Sequence, residues 1–142
     1  MAPSTSFPVE VLTPEGEVFN DEVVQISTKT AIGSIGILAN HQPMLAMLDP
    51  TELRLYKSES DVVRLAQGEG YLQVQRDSRV LILVEEAGDP SDIDQSEWED
   101  KLRRAEEELS DADEGTHAYQ TAARDKRRAE AFLEILRGGD SA

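Results

Sequence analysis

Only two histidines occur among the 142 residues, His41 and His117, and there is no cysteine. Nucleophilic catalysis needs a base beside its nucleophile, and no Gly-x-Ser-x-Gly turn presents a serine for that role. Two histidines without a ligand cluster make a poor metal site, and the lack of thiols removes disulfides and thiolate ligands. Carboxylates are so numerous, 29 Asp and Glu, that none is singled out as an acid–base pair. The glycines build no phosphate cradle. Gly33-Ser34-Ile35-Gly36 lacks the Gly-Lys-Ser/Thr of a P-loop, and Gly68-Glu69-Gly70 lacks the third glycine of a dinucleotide fingerprint. Both read as turns. No catalytic residue, no metal site and no cofactor is expected.

Positive charge concentrates in one place, at Arg124, Lys126, Arg127 and Arg128. At ~100° per residue along a helix, Arg124, Arg127 and Arg128 share one flank, and Ile135 falls on it too. Two readings stand side by side: a solvated face paired with Glu130 and its neighbours, or a docking flank for an acidic partner with Ile135 as an exposed apolar contact.

The whole chain carries a formal charge of −15. Residues 1–88 hold 13 acidic and 6 basic side chains, and residues 89–142 hold 16 and 8, so both parts are acidic. Such a surface disfavours nucleic acid and anionic lipid and favours basic protein partners. The first basic residue is Lys29, so no secretory or transit leader is expected. No apolar run exceeds the length of Val80–Val84, far short of the ~20 residues of a membrane span. A membrane is expected to be reached only through partners.

The elements that must position these residues fall into two regimes. Val9 and Val11, then Val24, Ile26 and Thr28, alternate with polar neighbours at the strand period. The alternation returns at Leu53 and Leu55, Val63 and Leu65, Leu72 and Val74, and Val80, Ile82 and Val84. Turn signals separate them, which predicts a small antiparallel β-sandwich over 1–88. At Ala87-Gly88-Asp89-Pro90 the pattern changes. Trp98, Leu102, Ala105, Leu109 and Ala112 recur at steps of four and three, with Asp94 and Glu97 as a capping box. A second stripe runs through Ala118, Ala122, Ala129, Leu133 and Leu136 and stops at Gly138-Gly139. The fold class predicted is α+β segregated, with a sandwich followed over 89–142 by an antiparallel two-helix hairpin. Its alanine-rich seam, with few large side chains, predicts modest stabilisation and a hairpin able to exchange partners. A permanently docked pair is the alternative.

Three stretches in this order resemble the epsilon subunits of bacterial and chloroplast-type rotary ATP synthases. Gly33 to Leu45 is similar to the family's Gly-Ile-Leu/Tyr-Pro-Gly-His-x-Pro-Leu-Leu loop. Gly68-Glu69-Gly70-Tyr71-Leu72-Gln73-Val74 with Val80 to Ala87 resembles its glycine-rich turn and last sandwich strands. Val9 to Gly16 matches its opening, and the change from β-domain to hairpin agrees as well.

The resemblance implies a non-catalytic central-stalk subunit of a proton-translocating ATP synthase. Its sandwich would bind the gamma subunit and rest on the c-ring, with Ser34, Ile35, Gly36, Ile37, His41 and Pro43 as a rotor-contact loop. His41 would be a structural or interface hydrogen-bonding residue. The hairpin would either fold on the sandwich or extend toward the alpha/beta catalytic subunits. Extended, it would inhibit ATP hydrolysis through Arg124, Lys126, Arg127, Arg128 and Ile135. The location implied is peripheral, on the cytoplasmic face of the bacterial inner membrane. Departures matter: Ala39-Asn40 replaces Pro-Gly, and Ser34 stands where some relatives have an acid. ATP-binding members open the first helix with Ile/Leu-Asp-x-x-Arg-Ala, whereas here Ile93-Asp94-Gln95-Ser96-Glu97-Trp98 keeps only Ile93 and Asp94. Arg128 resembles a family arginine, but the position four later is Phe132. A nucleotide site at Asp94 and Arg128 is therefore expected to be weak or lost, with Asp94 serving as a helix cap. The competing reading is a stand-alone sandwich-and-hairpin module for an unrelated basic protein, which leaves the Gly33–Leu45 motif unexplained.

Overall fold

The computed structural model describes residues 5–138. Contacts divide the chain into two compact units, Met1–Asp89 and Pro90–Ala142.

The first unit contains ten strands: β1 (Phe7–Thr13), β2 (Gly16–Val23), β3 (Gln25–Thr30), β4 (Gly33–Leu38), β5 (Met44–Leu48), β6 (Thr51–Tyr56), β7 (Val62–Gln67), β8 (Gly70–Val74), β9 (Val80–Val84) and β10 (Ala87–Gly88). They join in the order β10-β7-β6-β3-β5-β8-β9-β1-β2, with β4 paired to β3. β1 and β9 run parallel, and the other pairs are antiparallel. Period-two alternation turns one set of side chains inward. Phe7, Val9 and Val11 of β1 meet Ile26, Leu53, Leu55, Leu72, Val80 and Ile82 in one core. The buried polar side chains Thr28, Thr30 and Gln67 interrupt the apolar interior, Gln67 being the most deeply buried. Gln67 Oε1 accepts from the Thr28 hydroxyl at 2.6 Å, and its Nε2 donates to the carbonyls of Asp49 and Gly68 at 2.7 and 3.0 Å. All of its hydrogen-bonding directions toward these elements are used, so its burial is compensated.

The segment read as a turn at Gly33 to Gly36 is strand. β4 pairs along β3 from Gln25↔Leu38 to Thr30↔Gly33. The hairpin turn sits just before it, where Thr30 Oγ1 accepts from the Ile32 amide and donates to the Gly33 carbonyl. Glycine serves that turn because Gly33 has φ 140°.

The second unit opens with a 3₁₀ turn at Pro90–Asp92, then α1 (Gln95–Asp111) and α2 (His117–Arg137). Asp94 is the N-cap of α1, its carboxylate accepting from the Ser96 amide at 3.0 Å. Thr116 caps α2 through the Tyr119 amide. At the other end the Gly138 N–H donates to the Glu134 carbonyl at 2.9 Å, while Gly139 lies outside the described residues.

The buried helical side chains are Trp98 and Ala105 on α1, and Ala122, Ala129, Phe132, Leu133 and Ile135 on α2. This set departs from the expected stripes: Ala118 is exposed, Leu102, Leu109, Ala112 and Leu136 are half-buried, and Phe132 and Ile135 are buried outside the stripe. At 3.6 residues per turn, Phe132, Leu133, Ile135 and Leu136 span an arc of roughly 160°, so the end of α2 is apolar well beyond a single seam. The seam is also less bland than its alanines suggest, since Trp98 and Phe132 pack with ring centroids 4.6 Å apart at 54°.

Candidate functional site

The strand assignment of β4 sorts the Gly33–Leu45 segment into two faces. Ser34, Gly36 and Leu38 point outward and are exposed, while Ile35 is half-buried and Ile37 is fully buried. Ile37 cannot be a surface contact: it pairs with Ile26 across β3 and β4 and fills the core. Beyond β4 the chain makes a tight turn in which the His41 amide bonds the Leu38 carbonyl. Asn40 takes φ 65°, the left-handed region glycine favours and asparagine tolerates, so the replacement of Pro-Gly by Ala39-Asn40 preserves a turn here. His41 Nδ1 lies 2.8 Å from the Gln42 carbonyl oxygen. A carbonyl only accepts, so Nδ1 carries the proton and Nε2 is the other, acceptor nitrogen if the ring is neutral. Gln42 and Pro43 are exposed beside it.

Next to this turn the sandwich exposes an apolar face that strand alternation did not announce. On β5, β8 and β9 the outward positions are Leu45 and Met47, Tyr71 and Gln73, and Leu81 and Leu83. The register aligns Met47 with Tyr71 and Tyr71 with Leu83, and aligns Leu45 with Gln73 and Gln73 with Leu81. Leu45 is 68% exposed, Met47 61% and Tyr71 50%. None of the six positions is charged, in a chain of net charge −15. A depression of about 270 Å³ runs between Leu45, Tyr71, Gln73, Leu81 and Leu83. Ile32, at the tip of the β3–β4 turn, is 99% exposed. Contiguous exposed apolar surface of this kind marks an interaction site. The signal in the sequence was the unbroken run Met44 to Leu48: a strand apolar on both faces is covered on both faces.

On the helical unit the basic residues do not form one uniform flank. Arg124 and Arg127 are exposed, whereas Lys126 and Arg128 are half-buried. Arg124 pairs with Asp125 at 3.3 Å. Ile135 is only 9% exposed, so the structure contradicts its reading as an exposed contact. The physical reason is the broad apolar arc at the end of α2, which takes in Ile135 with Phe132 and Leu133 and leaves Glu134 and Arg137 on the exposed side.

A groove of about 290 Å³ on this unit brings Arg128 together with Trp98, Lys101 and Arg104, but also with Glu108 and Asp125. Asp94 is not among its lining residues, and its carboxylate is engaged in capping α1. Lys101 is committed too, its Nζ lying 4.0 Å above the Trp98 ring and 3.3 Å from Glu97. Asp94 therefore lies outside the groove that Arg128 lines.

Ion pairing perturbs side-chain titration on the sandwich instead. Lys57 donates to Asp21 at 3.0 Å, which holds the Asp21 carboxyl below and the Lys57 ammonium above their ordinary values. A hydrogen bond to Glu52 raises Arg54 in the same way. Asp21–Lys57 is a surface ion pair, whereas Arg54–Glu52 is half-buried. Among the described residues, no three His, Cys, Asp or Glu side chains gather as a metal site. No helix there is long and apolar enough to cross a membrane.

Residues 6–90 match the family model for the ATP synthase delta/epsilon chain β-sandwich domain. The ATP synthase epsilon chain of Persephonella marina is 38% identical over 130 residues, 91% of this chain and 95% of its own length. That of Halalkalibacterium halodurans is 37% identical over 89% and 94%, and the chloroplastic one of Adiantum capillus-veneris is 38% identical over 87% and 92%. Among solved structures, a chain of the Euglena gracilis mitochondrial ATP synthase, seen in its OSCP/F1/c-ring assembly, gives a TM-score of 0.78 at 19% identity. It covers 94% of this chain and 82% of that one. A chain of the Tetrahymena thermophila mitochondrial ATP synthase central stalk and c-ring gives 0.64 at 21% identity, covering 95% and 99%. At those identities the likeness is one of fold.

Proposed function

This chain belongs to the ATP synthase delta/epsilon family, and on that premise we propose that it is a non-catalytic rotor subunit whose sandwich couples gamma to the c-ring and whose hairpin restrains ATP hydrolysis. The observation that carries the first half is the uncharged apolar face of β5, β8 and β9. Covering Leu45, Met47, Tyr71 and Leu83 would remove exposed apolar surface from water at roughly 25 cal/mol per Å². A sheet held by its own core can present that face without deforming. Beside it, Ser34 and Gly36 on β4 and His41 and Pro43 in the turn that follows lie at or near the surface, and Ser34 and His41 offer polar contacts. Gamma takes the apolar face in this reading, and the β3–β4 hairpin with the turn after it meets the c-ring. The subunit is then peripheral to its membrane, held on the cytoplasmic side by the complex.

The second half rests on α2. Arg124 and Arg127 face solvent, and exposed ion pairs such as Arg124–Asp125 contribute little and exchange readily. An acidic segment of the alpha/beta catalytic subunits can replace such partners when the hairpin extends. Nucleotide sensing is not part of the proposal, because Asp94 caps a helix and Glu108 and Asp125 stand in the groove with Arg128.

Binding of the full chain to a purified gamma–c-ring rotor tests the coupling role. Tyr71→Lys is expected to weaken that binding at least tenfold with the fold intact. A wild-type chain that does not bind the rotor would contradict the proposal.

A further inference from the structure

We infer that the contact between Trp98 and Phe132 is the latch of the helical hairpin, the interaction whose release sets how readily α1 and α2 part. The regulatory consequence rests on the reading of the hairpin as a brake that rearranges; the latch itself rests on the geometry of the helical unit. The two helices are joined covalently at one end, through Ala112 to Thr116. Separation must therefore begin at the opposite end, where α1 starts and α2 finishes. Trp98 is in the first turn of α1, and Phe132 is in the penultimate turn of α2. Their rings meet at that free end, with centroids 4.6 Å apart at 54°, and the two are 5% and 2% exposed.

Between this pair and the loop the fully buried side chains are Ala105, Ala122 and Ala129. Each offers one methyl group, whereas a tilted aromatic pair combines large buried area with favourable quadrupole geometry. The attraction between the helices is thus concentrated at the end that must open first. Lys101 reinforces it: one turn along α1, its ammonium lies over the Trp98 ring and is held there by Glu97. That cation fixes the indole from the α1 side, so losing Phe132 removes the inter-helix half of the arrangement and leaves Trp98 as a reporter.

Trp98 is the chain's sole tryptophan, so its emission reads the latch directly in the full protein. Phe132→Ala is expected to shift that emission to the red. It is also expected to speed amide exchange in α1 and α2 at least tenfold, while the sandwich amides exchange as in the wild type. Leu109→Ala, at the loop end of the same seam, is expected to change hairpin exchange by no more than about threefold. Hairpin exchange within twofold of wild type in Phe132→Ala would overturn the latch. An equal acceleration by Leu109→Ala would also overturn it, because the seam would then open as a whole. With the isolated catalytic sector, Phe132→Ala is expected to inhibit ATP hydrolysis at several-fold lower concentration than the wild type. A variant that opens but inhibits no better refutes the regulatory role. A wild type that does not inhibit at all refutes the brake reading, and the exchange measurement still decides the latch.

Discussion

Gly70 lies so close to the backbone of Leu83 that a β-carbon added to it would stand 2.0 Å from the Leu83 carbonyl oxygen. The obstacle is main chain, which no rotamer change relieves. Gly70 is also where β8 meets two neighbours, opposite Leu48 of β5 and Val84 of β9. The glycine allows three strands to close up, and they carry the apolar face. Gly70→Ala is expected to destabilise the sandwich by about 3 kcal/mol or more, the upper end of overpacking. Urea denaturation followed by far-ultraviolet circular dichroism measures it, and a loss under about 1 kcal/mol would show that β8 and β9 can move apart.

Two of the three hydrogen bonds of Gln67 tie β7 to Thr28 on β3 and to the Asp49 carbonyl after β5, and the third goes to the adjacent Gly68 carbonyl. Gln67→Leu fills similar volume but leaves the Thr28 hydroxyl without its buried partner. A loss of about 2–4 kcal/mol is expected in the same denaturation experiment. Thr28→Val removes one bond and leaves Gln67 Oε1 without the hydroxyl that donates to it, and is expected to lose about 1–3 kcal/mol, less than the loss of all three bonds.

Adjacent residues of β4 separate folding from docking. Ile37 is wholly buried and Leu38 is 60% exposed. Ile37→Ala is expected to lower stability by about 2–5 kcal/mol through the cavity it leaves. Leu38→Lys is expected to leave stability within about 0.5 kcal/mol while weakening association with the rotor. Paired denaturation and binding measurements give the two readouts, and a reversed pattern would place the contact surface on the other side of the strand.

Much of this architecture was legible in the sequence, for identifiable reasons. β1, β3, β6 and β8 each bury one face, so their buried residues alternate at period two. β7 shows Val63 and Leu65 at that period but ends in three consecutive buried residues, and β9, apolar throughout, is legible from its β-branched Val80, Ile82 and Val84. β4 and β5 escaped because their patterns are not simple alternation: β4 is interrupted by Gly33 and Gly36, and β5 is apolar on both faces. Asp94 was readable as a cap because its type and position before a helical stripe suffice. Ile135 was not, because helical phase gives a residue's direction and not the breadth of the buried arc. Phe132 was hidden for the same reason, and with it the aromatic contact to Trp98.

ATP is expected not to bind this subunit with micromolar affinity. Arg128 shares its groove with Glu108 and Asp125, and Lys101 is already held between Trp98 and Glu97. Placing a triphosphate there requires displacing or neutralising those acids. Isothermal calorimetry of the full chain with Mg-ATP is expected to show no saturable heat at micromolar concentrations. A micromolar dissociation constant would require the groove to rearrange.

The most direct test of the brake is ATP hydrolysis by the isolated catalytic sector, titrated with the full chain and with a version ending at Asp89. The shorter version keeps every residue of the sandwich core, which lies between Phe7 and Val84. The full chain should slow hydrolysis, and the shortened chain should bind equally well and leave the rate unchanged. Equal inhibition by both, or binding without inhibition by either, would contradict a regulatory hairpin.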